Sequence, residues 1–373
     1  MSSLLKYQIA LSLFPRVGAV SARRLVAYMG SLQAIFESTK KDLKSIPGIG
    51  PSLIKTLIDQ RDEVLRRAEK ELAFIQKYQL KTFFYLDKEY PPRLAQCEDA
   101  PVILFLKGNV DLNSPRIISV VGTRNSTDQG RQLTGELISG LRENGVNALV
   151  VSGLAYGIDV TAHKAALKAG LPTLGVVGHG LDKMYPANHA AIAKEMLANK
   201  GGLLTDFPSE SNIDPGNFLR RNRIVAGLAD CTVVVESAVK GGALVTADIA
   251  NSYSRDVFAF PGRTTDQFSS GCNQLIKNNK AALIENAADL IAFMGWESHQ
   301  KPVQPALFLE LNTEEKLIVT TLKQNEITTT DLISRATNLT VQKINAILLD
   351  LEFKGVVKSL PGNRFKLIVQ LAI

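Results

Sequence analysis

The segment Ile117-Ile-Ser-Val-Val-Gly-Thr-Arg124 joins a short, mostly apolar run to a glycine turn. An apolar run that does not alternate with polar residues is typical of a strand buried on both faces, as in a parallel sheet. The same succession of apolar run, turn and helical segment recurs along the central chain, in Ile117–Val121, Ala148–Val151, Thr173–Val177, Gly202–Thr205, Thr232–Val235 and Val257–Phe260. This pattern predicts an α/β fold with a doubly wound, Rossmann-like parallel sheet.

The flanking regions have a different character, and the chain of 373 residues is long enough for more than one folding unit. Residues 1–80 have helical periodicity and no strand pattern, with two turns similar to helix-hairpin-helix motifs, of which Pro47-Gly48-Ile49-Gly50 is the better match. Such a turn can bind a phosphate or serve only packing. We expect a helical module at 1–80, the Rossmann-like domain at 81–296, a linker at 297–310 and a winged-helix-like domain at 311–373, in which Thr340 would cap the third helix.

The composition is that of an ordinary globular protein, with 45% hydrophobic and 21% charged residues. The longest apolar stretches are too short for a membrane span, and Lys6 interrupts the only apolar run that could serve as a signal peptide. Three scattered cysteines offer neither a disulfide framework nor a metal-ligand pair, so a reducing cytoplasm is expected. These features argue against disordered, membrane and disulfide-rich secreted proteins.

The net charge of +7 is unevenly distributed. Residues 1–80 contain 13 basic and 7 acidic residues, residues 81–310 contain 22 and 23, and residues 311–373 contain 8 and 6. The surplus of basic over acidic residues suggests an anionic partner. Because the central region is nearly neutral, any anion site there has to depend on a few arginines and on backbone N–H groups.

The turns that follow the predicted strands carry the candidate chemistry. The first contains Gly122-Thr123-Arg124 and lacks the Gly-x-Gly-x-x-Gly fingerprint of dinucleotide-binding folds, although Arg124 can still hold a phosphate. Later turns contain Ser152-Gly153, with Asp159 as a capping or orienting residue, and Gly178 to Tyr185. Because ligands of open α/β sheets bind at the carboxyl ends of the strands, several glycine turns on one edge favour an anion site over turns used only for packing.

A helix with three arginines follows the fourth predicted strand, in Phe218-Leu-Arg-Arg-Asn-Arg223. An aromatic residue beside guanidinium groups is the combination that holds single-stranded nucleic acid, through base stacking and phosphate neutralisation. The alternative is that Phe218 belongs to the core and the arginines cap neighbouring helices. Lys240-Gly241-Gly242 adds a further glycine turn before a helix at the same edge.

Together these segments resemble the DprA (Smf) family of DNA-processing proteins. The motifs that carry the resemblance are Val121-Gly122-Thr123-Arg124, Ser152-Gly153-x-Ala155-x-Gly157-Ile158-Asp159, Gly178-x-Gly180-x-Asp182-x-x-Tyr185-Pro186-x-Asn188, Phe218-x-x-Arg221-Asn222-Arg223-Ile224-x-Ala226-Gly227, Gly242-Ala243-Leu244-x-Thr246-Ala247 and Pro261-Gly262 with Gly271-Cys272-Asn273. The resemblance implies an N-terminal helix-hairpin-helix or SAM-like module and a C-terminal winged helix. It also implies a homodimer that binds single-stranded DNA, loads the RecA recombinase and displaces single-strand-binding protein in natural transformation.

The resemblance implies no catalytic residue, cofactor or metal. The single-stranded DNA site that it implies comprises Gly122, Thr123, Arg124, Ser152, Gly153, Phe218, Arg221, Asn222, Arg223, Gly241 and Gly242. Charge and position add Lys183 and Lys240 to this set.

The competing hypothesis is an enzyme, a LOG-type (lysine-decarboxylase-like) nucleotide phosphoribohydrolase. Resemblance to that family would require a Pro-Gly-Gly-x-Gly-Thr-x-x-Glu turn, but here Leu244 stands where a glycine is needed, and Asp248 is the nearest acid. The histidines show no close metal spacing and no nucleophile partner, so a zinc site or a hydrolase triad is not expected. The sequence therefore favours a DNA-binding protein over an enzyme.

Overall fold

The computed structural model describes residues 2–296, 311–324, 328–354, 356–360 and 363–367. The chain divides into two compact units, Met1–Glu297 and Ser298–Ile373. The predicted linker at 297–310 lies outside the described residues.

A nine-stranded sheet forms the centre of the first unit, in the order β1-β2-β6-β5-β4-β3-β7-β8-β9. Its strands are β1 (Lys81–Phe84), β2 (Ile103–Gly108), β3 (Ile117–Val121), β4 (Leu149–Ser152), β5 (Thr173–Val176), β6 (Gly202–Thr205), β7 (Cys231–Val234), β8 (Asp256–Ala259) and β9 (Ala282–Leu283). Strands β3 to β9 are parallel, which confirms the predicted Rossmann-like core. Strand β2 pairs antiparallel with β1 and β6, so the sheet is mixed at one edge.

Helices cover both faces of the sheet, because every parallel connection needs a crossover. These helices are α7 (Pro92–Ala95), α8 (Asp128–Glu143), α9 (Ile158–Lys168), α10 (Ala190–Ala198), α11 (Pro215–Leu228), α12 (Gly242–Ser252), α13 (Ser270–Lys277) and α14 (Ala287–Phe293). The chain runs outward from β3 to β6 and then returns to β7, on the other side of β3. We call the loops at the carboxyl ends of the parallel strands the carboxyl rim; they comprise residues 122–127, 153–157, 177–189, 206–214, 235–241 and 260–269.

The N-terminal helices share a hydrophobic core with the antiparallel edge of the sheet. They are α1 (Ser2–Leu13), α2 (Ala19–Met29), α3 (Leu32–Glu37), α4 (Lys40–Lys44), α5 (Pro51–Asp59) and α6 (Arg61–Tyr78). Leu25 and Leu57 belong to the same buried cluster as Phe84 and Phe105 of the sheet. A chain cut at residue 80 would therefore expose apolar side chains on both sides of the cut.

A buried polar contact also joins α6 to the carboxyl rim. The carboxylate of Glu71, which is 1% exposed, accepts hydrogen bonds from the backbone N–H of Ser209 at 3.0 Å and from its hydroxyl at 2.6 Å. Arg67 pairs with Glu71 at 3.2 Å. The helical module thus holds the loop at 206–214, which leads into α11.

The second unit is a small helical module with a three-stranded sheet in the order β10-β12-β11, as expected for a winged helix. Its elements are α15 (Thr313–Gln324), β10 (Thr328–Thr329), α16 (Thr330–Thr337), α17 (Val341–Phe353), β11 (Val357–Leu360) and β12 (Arg364–Leu367). Thr340 occupies the N-cap position of α17 as predicted, but its side chain makes no capping hydrogen bond. Lys343 pairs with Glu314 at 2.5 Å and Lys354 with Glu315 at 2.6 Å, so these lysines of the third helix are engaged within the module.

In the described part of the chain, no helix has the length and apolar character needed to cross a membrane.

Candidate nucleic-acid interface

The turn after β3 presents an arginine to solvent. The N–H of Thr123 donates to the carbonyl oxygen of Glu236 at 2.7 Å, and the Thr123 hydroxyl accepts from the N–H of Asn125 at 3.2 Å. Gly157, with φ of +76°, packs against this turn; a Cβ there would lie 2.6 Å from the carbonyl oxygen of Arg124. The Arg124 side chain is exposed and forms no ion pair within the described residues. A fixed backbone therefore carries a free guanidinium, as an anion contact requires.

The turn after β4 is organised from beneath by a buried carboxylate. Asp159 is 8% exposed and accepts from the N–H groups of Gly153 at 3.1 Å and Ala155 at 3.4 Å, which confirms its predicted orienting role. A Cβ at Gly153 would lie 2.5 Å from this carboxylate, so a larger residue there would have to displace it. Ser152 is buried, and its hydroxyl donates to the carbonyl of Val120 at 2.6 Å. The structure thus places the Ser152 side chain inside the sheet, where it cannot contact DNA directly.

Arg221 also lies beneath the rim, at 4% exposure. Its guanidinium donates to the backbone carbonyls of Gly153 and Val176. Burial lowers the pKa of Arg221 to about 10, although Asp159 nearby favours the charged form. Burial raises the pKa of Asp159, and Arg221 opposes that shift. The expectation of a direct phosphate contact by Arg221 does not fit this geometry, because the side chain is buried and its Nη1 already donates to two backbone carbonyls.

The other two arginines of α11 differ from Arg221 in exposure. Arg223 is half-buried, pairs with Asp206 at 2.5 Å and donates to the carbonyl of Asp99. Arg220 is exposed, with its guanidinium 5.3 Å from the centre of the Phe207 ring. Of the three, Arg220 is therefore the one that faces solvent, although it was not among the predicted contacts. Asn222 is half-buried on the same helix.

Aromatic side chains lie beside these arginines. Phe218 is half-buried; its ring centre is 5.5 Å from that of Tyr185, which is 45% exposed. A Cβ at Gly178 would lie 2.9 Å from the Phe218 ring, so the turn after β5 supports this ring. Tyr156, also 45% exposed, lies 4.9 Å from the His189 ring. The two tyrosines were missed as stacking candidates, although Tyr185 belongs to one of the family motifs.

The turn after β7 leads into α12 and borders a surface groove of about 540 Å³. Lys240 is exposed and lines this groove beside Gly241, Gly242 and Val239. Gly241 occupies the N-cap of α12, where a Cβ would lie 2.1 Å from the Ser237 hydroxyl oxygen, while the space next to Gly242 is open. Backbone N–H groups at this helix start can therefore be approached closely.

Two further basic residues lie on the carboxyl rim. Lys183 is half-buried and 4.0 Å from the Asp182 carboxylate, so its charge is partly balanced. Arg263, in the loop after β8, is exposed and was not predicted. The signal that could have found it is its position three residues after a predicted strand, at the same edge as Arg124.

The described residues contain no group of three His, Cys, Asp or Glu side chains that could hold a metal ion. All three cysteines are buried, and burial raises the pKa of Cys272 to about 12 and that of Cys97 to about 11. Thiolate chemistry is therefore disfavoured at these positions.

A buried histidine between α9 and β5 makes the fold sensitive to acid. His163 is fully buried, with Nδ1 2.6 Å from the Thr173 hydroxyl oxygen, and burial lowers its pKa to about 3. The unfolded chain takes up a proton near the ordinary pKa of about 6.5. The folded state does not, so stability falls as the pH drops below that value.

We expect His163 alone to account for a loss of about 2 kcal/mol in the free energy of unfolding between pH 7.5 and pH 5. Urea unfolding at both pH values measures this loss, and the variant His163→Asn, which does not titrate, should show a correspondingly smaller one. Equal pH dependence of the two proteins would contradict the role of His163.

Comparison with known proteins gives concordant results over most of the chain. The family model of DNA recombination-mediator protein A matches residues 81–295, the model of the DprA winged helix domain matches 302–363, and that of the SAM-like helix-hairpin-helix tandem matches 10–63. Protein Smf of Synechocystis is 31% identical over 96% of this chain and 98% of its own length. DNA processing protein DprA of Streptococcus pneumoniae is 40% identical over 57% of this chain and 73% of its own length.

Two solved structures are similar as well. The X-ray structure of DNA processing protein A from Streptococcus pneumoniae has a TM-score of 0.62 and 31% identity, and covers 77% of this chain and 95% of its own. DNA processing protein A from Helicobacter pylori, studied for its single-stranded DNA binding mode, has a TM-score of 0.52 and 28% identity, and covers 60% of this chain and 98% of its own.

Proposed function

Because the chain belongs to the DNA recombination-mediator protein A (DprA, or Smf) family, we propose that its carboxyl rim binds single-stranded DNA for recombination. The observation that carries this proposal is the exposed Arg124 on a rigid glycine turn, at the same sheet edge as the half-exposed ring pair of Tyr185 and Phe218. The H. pylori relative, whose structure concerns single-stranded DNA binding, supports the choice of ligand.

The rim is continuous, so one strand can follow it. The turn at 122–124 packs on Gly157, the turn at Gly153 lies against Arg221 of α11, and the turn at Gly178 lies against Phe218. Exposed basic side chains lie on the rim at Arg124, Lys240 and Arg263, and Arg220 is exposed on α11. Unpaired bases can stack on the aromatic rings while the phosphates meet the cations, an arrangement that a duplex does not offer.

We further propose the cellular role that the family suggests. The protein forms a homodimer, loads RecA on incoming single-stranded DNA and displaces single-strand-binding protein during natural transformation. No cofactor is needed for this role, because binding and hand-over of a strand involve no bond formation. The name of the S. pneumoniae relative, a DNA processing protein, supports a role in DNA processing.

We expect sub-micromolar binding of a fluorescent oligo-dT in an anisotropy titration, much weaker binding of a duplex of equal length, and affinity that falls with salt. A chain that ends at Glu297 should bind almost as well as the full chain, because Lys343 and Lys354 are already paired within the second unit. This end point keeps the N-terminal helices, whose core continues into the sheet.

Equal affinity for duplex and single strand would contradict the proposed site. The competing phosphoribohydrolase hypothesis predicts instead that the protein releases free base from nucleoside monophosphates, which chromatography of the same preparations would detect. We expect no release, because Leu244 occupies the position where that chemistry requires a glycine, and Asp248 is exposed on α12 outside the turn.

A further inference from the structure

Glu236 lies at the point where the strand order of the sheet reverses. It follows β7, which is adjacent to β3, and its side chain is only 7% exposed. In open α/β sheets this crevice is where a ligand phosphate binds, at the N-terminus of the first crossover helix. That helix is α8 here, so a carboxylate occupies the region where such a ligand would be expected.

The contacts of Glu236 are those of an anion bound at a helix N-terminus. Its carboxylate accepts from the N–H of Thr127 at 3.0 Å and from the Thr127 hydroxyl. Thr127 is the N-cap of α8, and its oxygen in turn accepts from the N–H of Gly130 at 3.0 Å. The carboxylate therefore takes both donors of the N-cap residue, and its charge is favoured by the helix dipole.

Gly130 shows how closely the carboxylate fits. A Cβ at this position would lie 2.1 Å from one Glu236 carboxylate oxygen and 2.7 Å from the other. Only glycine leaves room for the carboxylate against the first turn of α8. In dinucleotide-binding folds a glycine in the first turn permits the same close approach by a phosphate.

The backbone of Glu236 also holds the neighbouring turn. Its carbonyl oxygen accepts from the N–H of Thr123 at 2.7 Å and would lie 3.0 Å from a Cβ at Gly122. One residue thus fills the crevice with its side chain and fixes the turn of Arg124 with its main chain.

We propose that Glu236 is an internal anion that occupies the phosphate position at the N-terminus of α8 and excludes free phosphate and mononucleotides from it. Ligand phosphates are then confined to the outer surface of the rim, where Arg124 is exposed. The exclusion does not rest on the proposed function: it holds or fails whatever polymer the rim binds.

The test is thermal unfolding of Glu236→Ala in inorganic phosphate and in chloride of equal ionic strength. Phosphate stabilises proteins in general. The readout is therefore the rise in melting temperature from chloride to phosphate in the variant, minus the same rise in the wild type. We expect the phosphate-induced rise in melting temperature to be about 2–4 °C larger for the variant than for the wild type. Glu210→Ala, which removes an exposed glutamate from the same rim, should behave like the wild type.

A second variant identifies the donors. Adding Thr127→Val to Glu236→Ala removes the hydroxyl and should reduce the phosphate-specific shift. If Glu236→Ala folds in chloride and shows no excess shift, the proposal is wrong. If it is unfolded in chloride, circular dichroism in phosphate decides: recovery of helical signal supports an anion site, and failure to recover overturns the proposal.

Discussion

Replacement of Arg221 by methionine is expected to lower the free energy of unfolding by about 2–4 kcal/mol, because two buried carbonyl oxygens lose a charged donor and a buried carboxylate loses a nearby positive charge. The carbonyls are those of Gly153 and Val176, and the carboxylate is that of Asp159, which Arg221 attracts without a direct hydrogen bond. Urea denaturation measures the change. Arg220→Met is the matched control, since this arginine lies on the same helix and is exposed; its effect on stability should be small.

A double variant separates the pair from the rest of the core. Adding Asp159→Asn to Arg221→Met removes the unpaired charge, so the two changes together should cost less than the sum of the single changes. A structural role for Arg221 would be contradicted by a folded Arg221→Met protein with unchanged stability and greatly weakened DNA binding. Arg221 would then contact DNA directly, as the sequence motif suggested.

Arg124→Ala is expected to weaken single-stranded DNA binding by roughly tenfold to a hundredfold, since a charge-assisted phosphate contact contributes about 1–3 kcal/mol. The slope of log affinity against log salt should also become shallower, by about 0.7 for each phosphate of a single strand that the variant no longer neutralises. Stability should hardly change, because the side chain is exposed and unpaired within the described residues. Oligo-dT titrations at several salt concentrations measure both effects.

The matched control for Arg124→Ala is Arg142→Ala. Arg142 is exposed in the last turn of α8, at the opposite edge of the sheet, so its replacement removes the same charge far from the carboxyl rim. If both variants weaken binding equally, the effect is one of overall charge and the rim is not the binding site.

The parallel strands could be predicted because each is buried on both faces. A strand of that kind appears in the sequence as a short apolar run without alternating polar residues. The edge strand β1 was not predicted: it is four residues long and directly follows a helical segment, and its pairing with β2 depends on residues far along the chain. The two-residue strand β9 is too short to leave a pattern.

The rim itself could be predicted for a similar reason. The carboxyl ends of parallel strands lie at one edge of the sheet, so the turns at Gly122, Gly153 and Gly241 had to lie at that same edge. Which side chains on that rim reach solvent could not be predicted. The helical spacing of Phe218 and Arg221 gives their direction around the axis of α11, whereas their depth depends on how closely α11 packs against β4 and β5.

The sequence alone thus determined the parallel strands, the edge at which their turns lie, the glycines in those turns and the family. Only the tertiary structure showed that Arg221 supports the rim from within, that Arg124 and Arg220 face solvent, and that the Glu236 carboxylate fills the crevice at α8. The physical reason is that local patterns encode which backbone forms. Burial, pairing and charge compensation depend on residues such as Asp159 and Thr127, which are brought to their partners only by the folded chain.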